Sequence, residues 1–399
     1  MKDFISILVG FIFMSLAESV DSFFNNAISI DTIIVCSSLF SINLLGRSIG
    51  EIGTYTYRVV RKKESSYLLI TGLTSLIIGF IIFLFKDVLV NLFDISQVQK
   101  ETLSSVLGLY VFYLPASLVA SSFLEMVRLK SELQTYRKSL ILFYTLLIIF
   151  DAIAFYFTKN LVLLFVATIM ANIINIIYLQ IKMNFKIEGI NKEDLENVQK
   201  YGITLVAERL LSRIFILVYG VLASYMGEKK YAIHSVCYAV CLNLEIITNA
   251  YSAALMIKIP EEKDKNKQMN VLRKYMNQCF GILLIINFGM AGITVVIQHG
   301  SLSIQECFPY IILYSCTVFG LFYYESYKAL CVVQRQPKIL LRGSTIGVIV
   351  RILICFIFLN TKLNLYIFSI ASLIDFYVRG LTYKDNINKK IKESRGTLV

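Results

Sequence analysis

The chain has 399 residues, 57% of them hydrophobic and only 17% charged, with a formal net charge of +12. Apolar runs recur from end to end, which excludes a soluble globular protein. They are too long for barrel strands and do not alternate. The basic excess reads as a membrane face beside anionic lipid, with no nucleic-acid partner.

A spanning helix needs about 20 mostly apolar residues. Twelve such segments are predicted, at about 3–25, 31–57, 66–85, 102–127, 139–157, 161–181, 200–225, 231–257, 276–298, 307–333, 339–358 and 363–380. The first lacks both a basic start beyond Lys2 and a small-residue cleavage site, so it reads as a retained helix and not a signal peptide. The outer loops carry only Lys86, Lys100, Lys159, Lys229, Lys230 and Lys362. Most other Lys and Arg fall in the inner loops, such as Arg58–Lys63, Arg128–Lys138, Lys182–Lys200 and Lys258–Lys274. This bias puts both termini in the cytoplasm. A multi-pass plasma-membrane protein is the expectation.

The longest polar stretches are 182–200 and 258–275. The first sits at the midpoint. The predicted organisation is an N-lobe of helices one to six over 1–185, a cytoplasmic linker over 186–200, and a C-lobe of helices seven to twelve over 201–399 with a short tail. The fold class is all-α and polytopic. The second half also reads as a diverged copy of the first. Glu125 and Glu325, Arg128 and Lys328, and Lys138 and Lys338 are each 200 positions apart. Six helices per repeat is even, so the halves should be parallel repeats, an architecture common in secondary transporters.

No Gly-rich phosphate loop and no CxxC pair occurs, and the 2 His, His234 and His299, are too far apart to form a ligand pair on one helix. Cys237 and Cys241 share a helix face but read as small buried hydrophobes. The chain is not expected to be an enzyme. A membrane-embedded enzyme would need clustered His or Asp-rich loops at an interface, and none is seen.

Several segments in collinear order resemble the MATE (multidrug and toxin extrusion) family within the flippase-type exporter superfamily. They are Glu18-Ser-Val-Asp21-Ser-Phe in helix one, Asn91-Leu-Phe-Asp-Ile before helix four, and Met126–Lys138 in the inner loop after it. Two more are Gly202-Ile-Thr-Leu-Val-Ala-Glu208 opening helix seven, and Gly227 with Tyr231-Ala-Ile-His234 entering helix eight. The resemblance spans nearly the whole chain. The family's inner-loop Gln-x-x-Gly-Ala motif is missing from both halves, where Arg58-Val-Val-Arg-Lys and Lys258-Ile-Pro-Glu-Glu stand. The family Pro of helix one is absent and that of helix seven is Thr204.

Charges at mid-bilayer are costly, about 2.5–3.5 kcal/mol each on insertion scales, so each needs a reason. The resemblance puts Asp21 at the N-lobe acid that binds a proton or sodium ion, sodium being possible there. Glu18 lies one turn earlier on the same face. Asp151 falls where the family has an Asn of the same pocket, while Phe155 replaces the family Asp one turn on. Asp151 therefore either replaces both or pairs with a basic neighbour. Asp151 with Arg351, 200 apart, and Arg47 with Glu245, 198 apart, occupy near-equivalent sites in the repeat. They suggest a gate or cavity; the alternative is local pairing, as of Arg47 with Glu51 at i+4. Glu208 has Arg209 and Arg213 as helical neighbours, which favours a structural role. Glu125 with Arg128 and Glu325 with Lys328 read as structural i,i+3 pairs.

The resulting expectation is a cation-coupled secondary exporter of amphipathic or cationic organic compounds. It would be driven by proton or sodium antiport, need no cofactor or resident metal, and work as a monomer among membrane lipids. Tyr110, Tyr113, Tyr314 and Tyr323 offer a wall for flat cations. Two other readings stay open: a lipid or lipid-linked oligosaccharide flippase, which would want an Arg-rich cavity, and a degenerate non-transporting membrane protein.

Overall fold

A computed structural model describes residues 2–186, 189–262, 264–298, 302–358 and 365–396. His299 and Lys362, noted above, lie outside them. All regular structure among the described residues is helical. The order is α1 (Lys2–Ile28), α2 (Ile30–Gly50), α3 (Ile52–Val60), α4 (Glu64–Leu84), α5 (Lys86–Val90), α6 (Gln97–Leu107), α7 (Tyr110–Leu129), α8 (Leu133–Thr158) and α9 (Leu161–Lys182). There follow α10 (Lys192–Asn197), α11 (Ile203–Ser224), α12 (Glu228–Lys258), α13 (Lys265–Gln298), α14 (Ile304–Val333), α15 (Pro337–Phe358) and α16 (Tyr366–Gly396).

Among the described residues, ten helices are long and apolar enough to cross a membrane. The predicted seventh and twelfth spans fall on α11 and α16, which carry Glu208, Arg209 and Arg213, and Asp375 and Arg379, inside otherwise apolar stretches. The chain is an all-helical polytopic membrane protein.

The structure divides two of the predicted spans. The run 31–57 becomes α2 and α3, broken at Glu51, whose φ −78° and ψ 13° leave the helical well. Two helical neighbours hold that carboxylate at the break: Arg47 donates to it at 3.0 Å and the Tyr55 hydroxyl at 2.8 Å. The run 102–127 becomes α6 and α7, separated at Gly108 and Leu109. Conversely, α13 begins at Lys265, inside the stretch 258–275 read as a loop, and α16 continues helically past the predicted end at 380 to Gly396.

Small residues let α3 and α4 approach closely. A Cβ on Gly53 would strike the Tyr67 carbonyl oxygen and lie 2.6 Å from the Thr71 hydroxyl oxygen. Gly53→Ala is therefore expected to destabilise the protein by about 1–3 kcal/mol, the usual range for overpacking. Gly72→Ala is the control, because its added methyl would meet only Val119 at 3.5 Å. Thermal unfolding of both variants in detergent checks the difference.

The midpoint linker is a docked element. Asn191 and Asp194 form a reciprocal capping box that starts α10. Lys63, in the turn between α3 and α4, donates to Glu193 at 2.8 Å, and Ser66 donates to the Gly189 carbonyl at 3.2 Å. The hydrogen bond and charge of Lys63 lower the Glu193 pKa below its ordinary value. Ile190 and Val198 pack on a buried cluster of Tyr57, Tyr67, Ile70 and Met126. A π-helical turn, Val198–Gly202, then leads into α11.

Packing divides the chain into two compact units. One comprises Leu16–Ala239 and Val295–Cys307; the other comprises Met1–Ser15, Val240–Thr294 and Phe308–Val399. Both sides of the 186–200 linker lie in the first. Equivalent ion pairs mark the internal repeat: Glu125 with Arg128 at 3.2 Å in α7, and Glu325 with Lys328 at 2.9 Å in α14.

Candidate functional site

Three side chains of α1 meet three of α8 in order. The Tyr144 hydroxyl donates to Glu18 Oε1 at 2.8 Å. The carboxyl groups of Asp21 and Asp151 face one another within hydrogen-bonding reach. The rings of Phe24 and Phe155 follow, with centroids 5.5 Å apart. On α8 these positions are i, i+7 and i+11, which fall on one helical face. Glu18 and Asp21 are half-buried, whereas Asp151 is 0% exposed.

Neither oxygen of Asp151 receives a hydrogen bond. Two carboxylates are acceptors only, so the pair can close a hydrogen bond only when one of them holds a proton. Like charges this close cannot both ionise at low cost. No Lys or Arg forms an ion pair with Glu18, Asp21 or Asp151 among the described residues. Among the described residues no basic side chain lies against Asp151, and Asp21 does. The arrangement can take a proton between the two acids or a hard cation liganded by their oxygens.

A second polar group lies in the same unit, and in it every basic side chain has an acidic or aromatic partner. The Arg58 guanidinium bridges both oxygens of Glu125 at 2.5 Å each, and Arg128 joins the same carboxylate. The guanidinium carbons of Arg58 and Arg209 lie 5.2 and 5.8 Å from the centre of the Tyr55 ring. Arg47 pairs with Glu51 at 3.0 Å and also donates to Ser117 at 3.3 Å, so it takes the local partner weighed above. Glu208 is 1% exposed and pairs with Arg209 at 3.9 Å. These contacts tie α2, α3, α7 and α11 together through bidentate and cation–π geometry.

In the other unit, Arg351 contacts Asp375 at 2.6 Å. Arg379 holds the same carboxylate through two donors, at 2.5 and 2.8 Å, and donates to Ser344 at 3.3 Å. All three charged residues are at most 5% exposed. Gly347 makes the space, since a Cβ there would strike both Asp375 and Arg379. Glu245 is half-buried on α12, one turn from Cys241; it and Arg351 both act electrostatically on that thiol. Of the candidate tyrosines, Tyr110 and Tyr314 are buried at 0% and 3% exposure. Buried His234 stacks on Tyr238 with centroids 5.8 Å apart.

Sequence reasoning missed Tyr144, Asp375 and Arg379. Asp375 and Arg379 stand at i,i+4 inside the predicted twelfth helix, and Tyr144 stands one heptad before Asp151. Either spacing was a usable signal.

Ten long apolar helices among the described residues, and equivalent ion pairs in the two sequence halves, define an all-helical polytopic membrane fold with an internal repeat. The particular fold is that of the MATE transporters of the MOP superfamily. The chain matches an inward-facing multidrug resistance MATE family transporter of that superfamily with a TM-score of 0.72 and 13% identity, over 96% of each chain. It matches a MOP superfamily transporter from Pyrococcus furiosus at 0.71 and 14%, over 98% of this chain and 96% of that one. That protein is described as having a binding pocket of reverse polarity that suggests a different function. A MATE structure in complex with Br-NRF matches at 0.68 and 14%, over 98% and 95%. No family model and no curated protein sequence matches the chain.

Proposed function

We propose that the protein is a secondary active exporter of amphipathic or cationic organic compounds, driven by inward flow of protons or sodium ions through alternating access between two lobes. The N-lobe is helices one to six, 186–200 is the linker and the C-lobe is helices seven to twelve. The plasma membrane, with both termini inside, is the proposed location. One observation carries the reading: Asp21 faces buried Asp151, whose oxygens receive no hydrogen bond, and among the described residues neither acid has a basic partner. A purely structural acid inside a membrane would be neutralised by a fixed cation, as Asp375 is. An acid left to bind an exchangeable cation is what coupling requires.

The flippase alternative rests on Arg residues free to take an anionic head group. Of the three arginines that reading invokes, Arg47 and Arg351 instead hold Glu51 and Asp375, and Arg213 alone has no ion pair among the described residues. That pairing favours the exporter.

The test uses inside-out vesicles with an imposed proton or sodium gradient and a panel of cationic dyes and fluorescent lipids. Gradient-dependent dye uptake, abolished when the gradient is collapsed, is the expected result. Lipid translocation independent of both gradients would transfer the reading to a flippase.

A further inference from the structure

One interior charge is left over once the ion pairs above are formed. Arg213 is the eleventh of the 22 residues of α11 and is half-buried. Among the described residues it makes no ion pair, hydrogen bond or ring contact. The acids nearest to it in the fold are engaged elsewhere. Glu208, the one acid of α11, takes Arg209. Glu51, at the break between α2 and α3 against which α11 packs, takes Arg47 and Tyr55.

Helical position fixes the side on which Arg213 stands. Ile203, Ile214 and Val218 are 54%, 44% and 39% exposed and mark the outward stripe of α11. Arg213 shares a different stripe with Arg209 at i−4 and Gly220 at i+7. Arg209 covers the Tyr55 ring of α3, and a Cβ on Gly220 would lie 2.8 Å from Ser41 Oγ of α2. Arg213 therefore stands between two contacts with the rest of the protein, on the inward flank of the helix. Neither end of α11 can serve it. At 1.5 Å per residue it lies about 15 Å from each end, and arginines snorkel to the interface only from near the ends of a span.

The guanidinium specifies the missing partner. It has five N–H donors in a planar fork and no acceptor. The partner must accept hydrogen bonds and carry negative charge. A carboxylate or another oxyanion matches the fork with two parallel bonds. Neutral and cationic ligands would leave the charge uncompensated. A resident lipid keeps its head group at the membrane surface, so the anion must arrive on a molecule that enters the protein. We propose that Arg213 binds the acidic group of an amphipathic organic acid. The proposal rests on the exporter reading, within which it names the substrate class.

Equilibrium binding to the full chain in neutral phosphatidylcholine nanodiscs tests it. The probes are dansyl-undecanoic acid and its methyl ester, with empty nanodiscs as the partition control. The acid should bind more tightly than the ester. Arg213→Gln should weaken acid binding at least about tenfold, the equivalent of one hydrogen bond to a charged group, and leave ester binding unchanged. Arg213→Lys should fall between, since it keeps the charge and loses the fork. The melting temperature of the Gln variant should be unchanged or higher, because no ion pair is broken; if that variant fails to insert, Arg213→Met replaces it. No binding of the acid, equal binding of acid and ester, or wild-type acid binding by the variants would overturn the proposal. So would displacement of the acid by phosphatidylglycerol as readily as by dodecanoate, since the anion would then come from a lipid head group. The assay carries no gradient, so those results would leave cation-coupled export standing. Arg213-dependent binding of the acid without gradient-driven transport would remove the exporter reading and keep the site.

Discussion

Asp21→Asn should reduce gradient-driven export to background while the protein still inserts and folds. The facing acid decides both halves of this result. With Asn at position 21, the amide can donate to the Asp151 carboxylate, so the contact between α1 and α8 survives without a proton. The buried acid would then be satisfied permanently and could no longer exchange a cation. Thermal stability is expected to be unchanged or higher, because a contact that needed a proton no longer does. Asp151→Asn should behave alike, since either acid alone lacks the second carboxyl. The decisive measurement pairs a transport assay in inside-out vesicles with thermal unfolding of the same preparation. Wild-type transport by a stable Asp21→Asn protein would remove the acidic pair from the coupling mechanism.

The largest stability effect is expected at Asp375. Its single carboxylate is shared by two guanidinium groups, Arg351 and Arg379, which are 5% and 1% exposed. Asp375→Asn leaves both charges buried without an anion on their shared partner. Removing one member of a buried ionic group typically costs about 3–5 kcal/mol. Loss of folded protein on extraction, or a large drop in melting temperature, is the expected outcome. Arg351→Met should be milder, because Asp375 keeps its two-donor contact with Arg379. The order of the two variants is therefore the informative result. If Asp375→Asn unfolds no earlier than Arg351→Met, the carboxylate is not the centre of this cluster.

These two acids also show why the fold was more legible than the site. Both stand as single acids in apolar helices, and intrinsic cost marks each as requiring a partner. For Asp375 the partner Arg379 is one turn away, a local spacing that the sequence displays. For Asp151 the partner comes from α1, more than a hundred positions earlier, and no spacing rule connects them. The repeat pointed instead to Arg351, whose observed carboxylate partner is Asp375. The likeness between halves marks equivalent positions; it does not say which side chains touch.

The helix breaks follow the same division. An apolar run such as 31–57 announces a span, because the bilayer sets the length and every residue contributes to hydropathy. The interruption at Glu51 depends on Arg47, Tyr55 and the close approach of Gly53 to Tyr67, and the last of these exists only once α3 packs on α4. The linker behaves likewise. Its polarity is visible in 182–200, but its docking requires Lys63, Ser66 and the Tyr57–Tyr67 cluster to be in place.

The sequence by itself therefore determined the membrane class, the order of the apolar helices and the acids that demand explanation. Apolar length, loop charge and helical spacing are properties of neighbouring residues. Only the tertiary structure decided that Asp21 meets Asp151 and that Arg351 is spent on Asp375. The reason is physical: inside a membrane each polar group must find its partner in the protein, and distant helices supply many of those partners only when they pack.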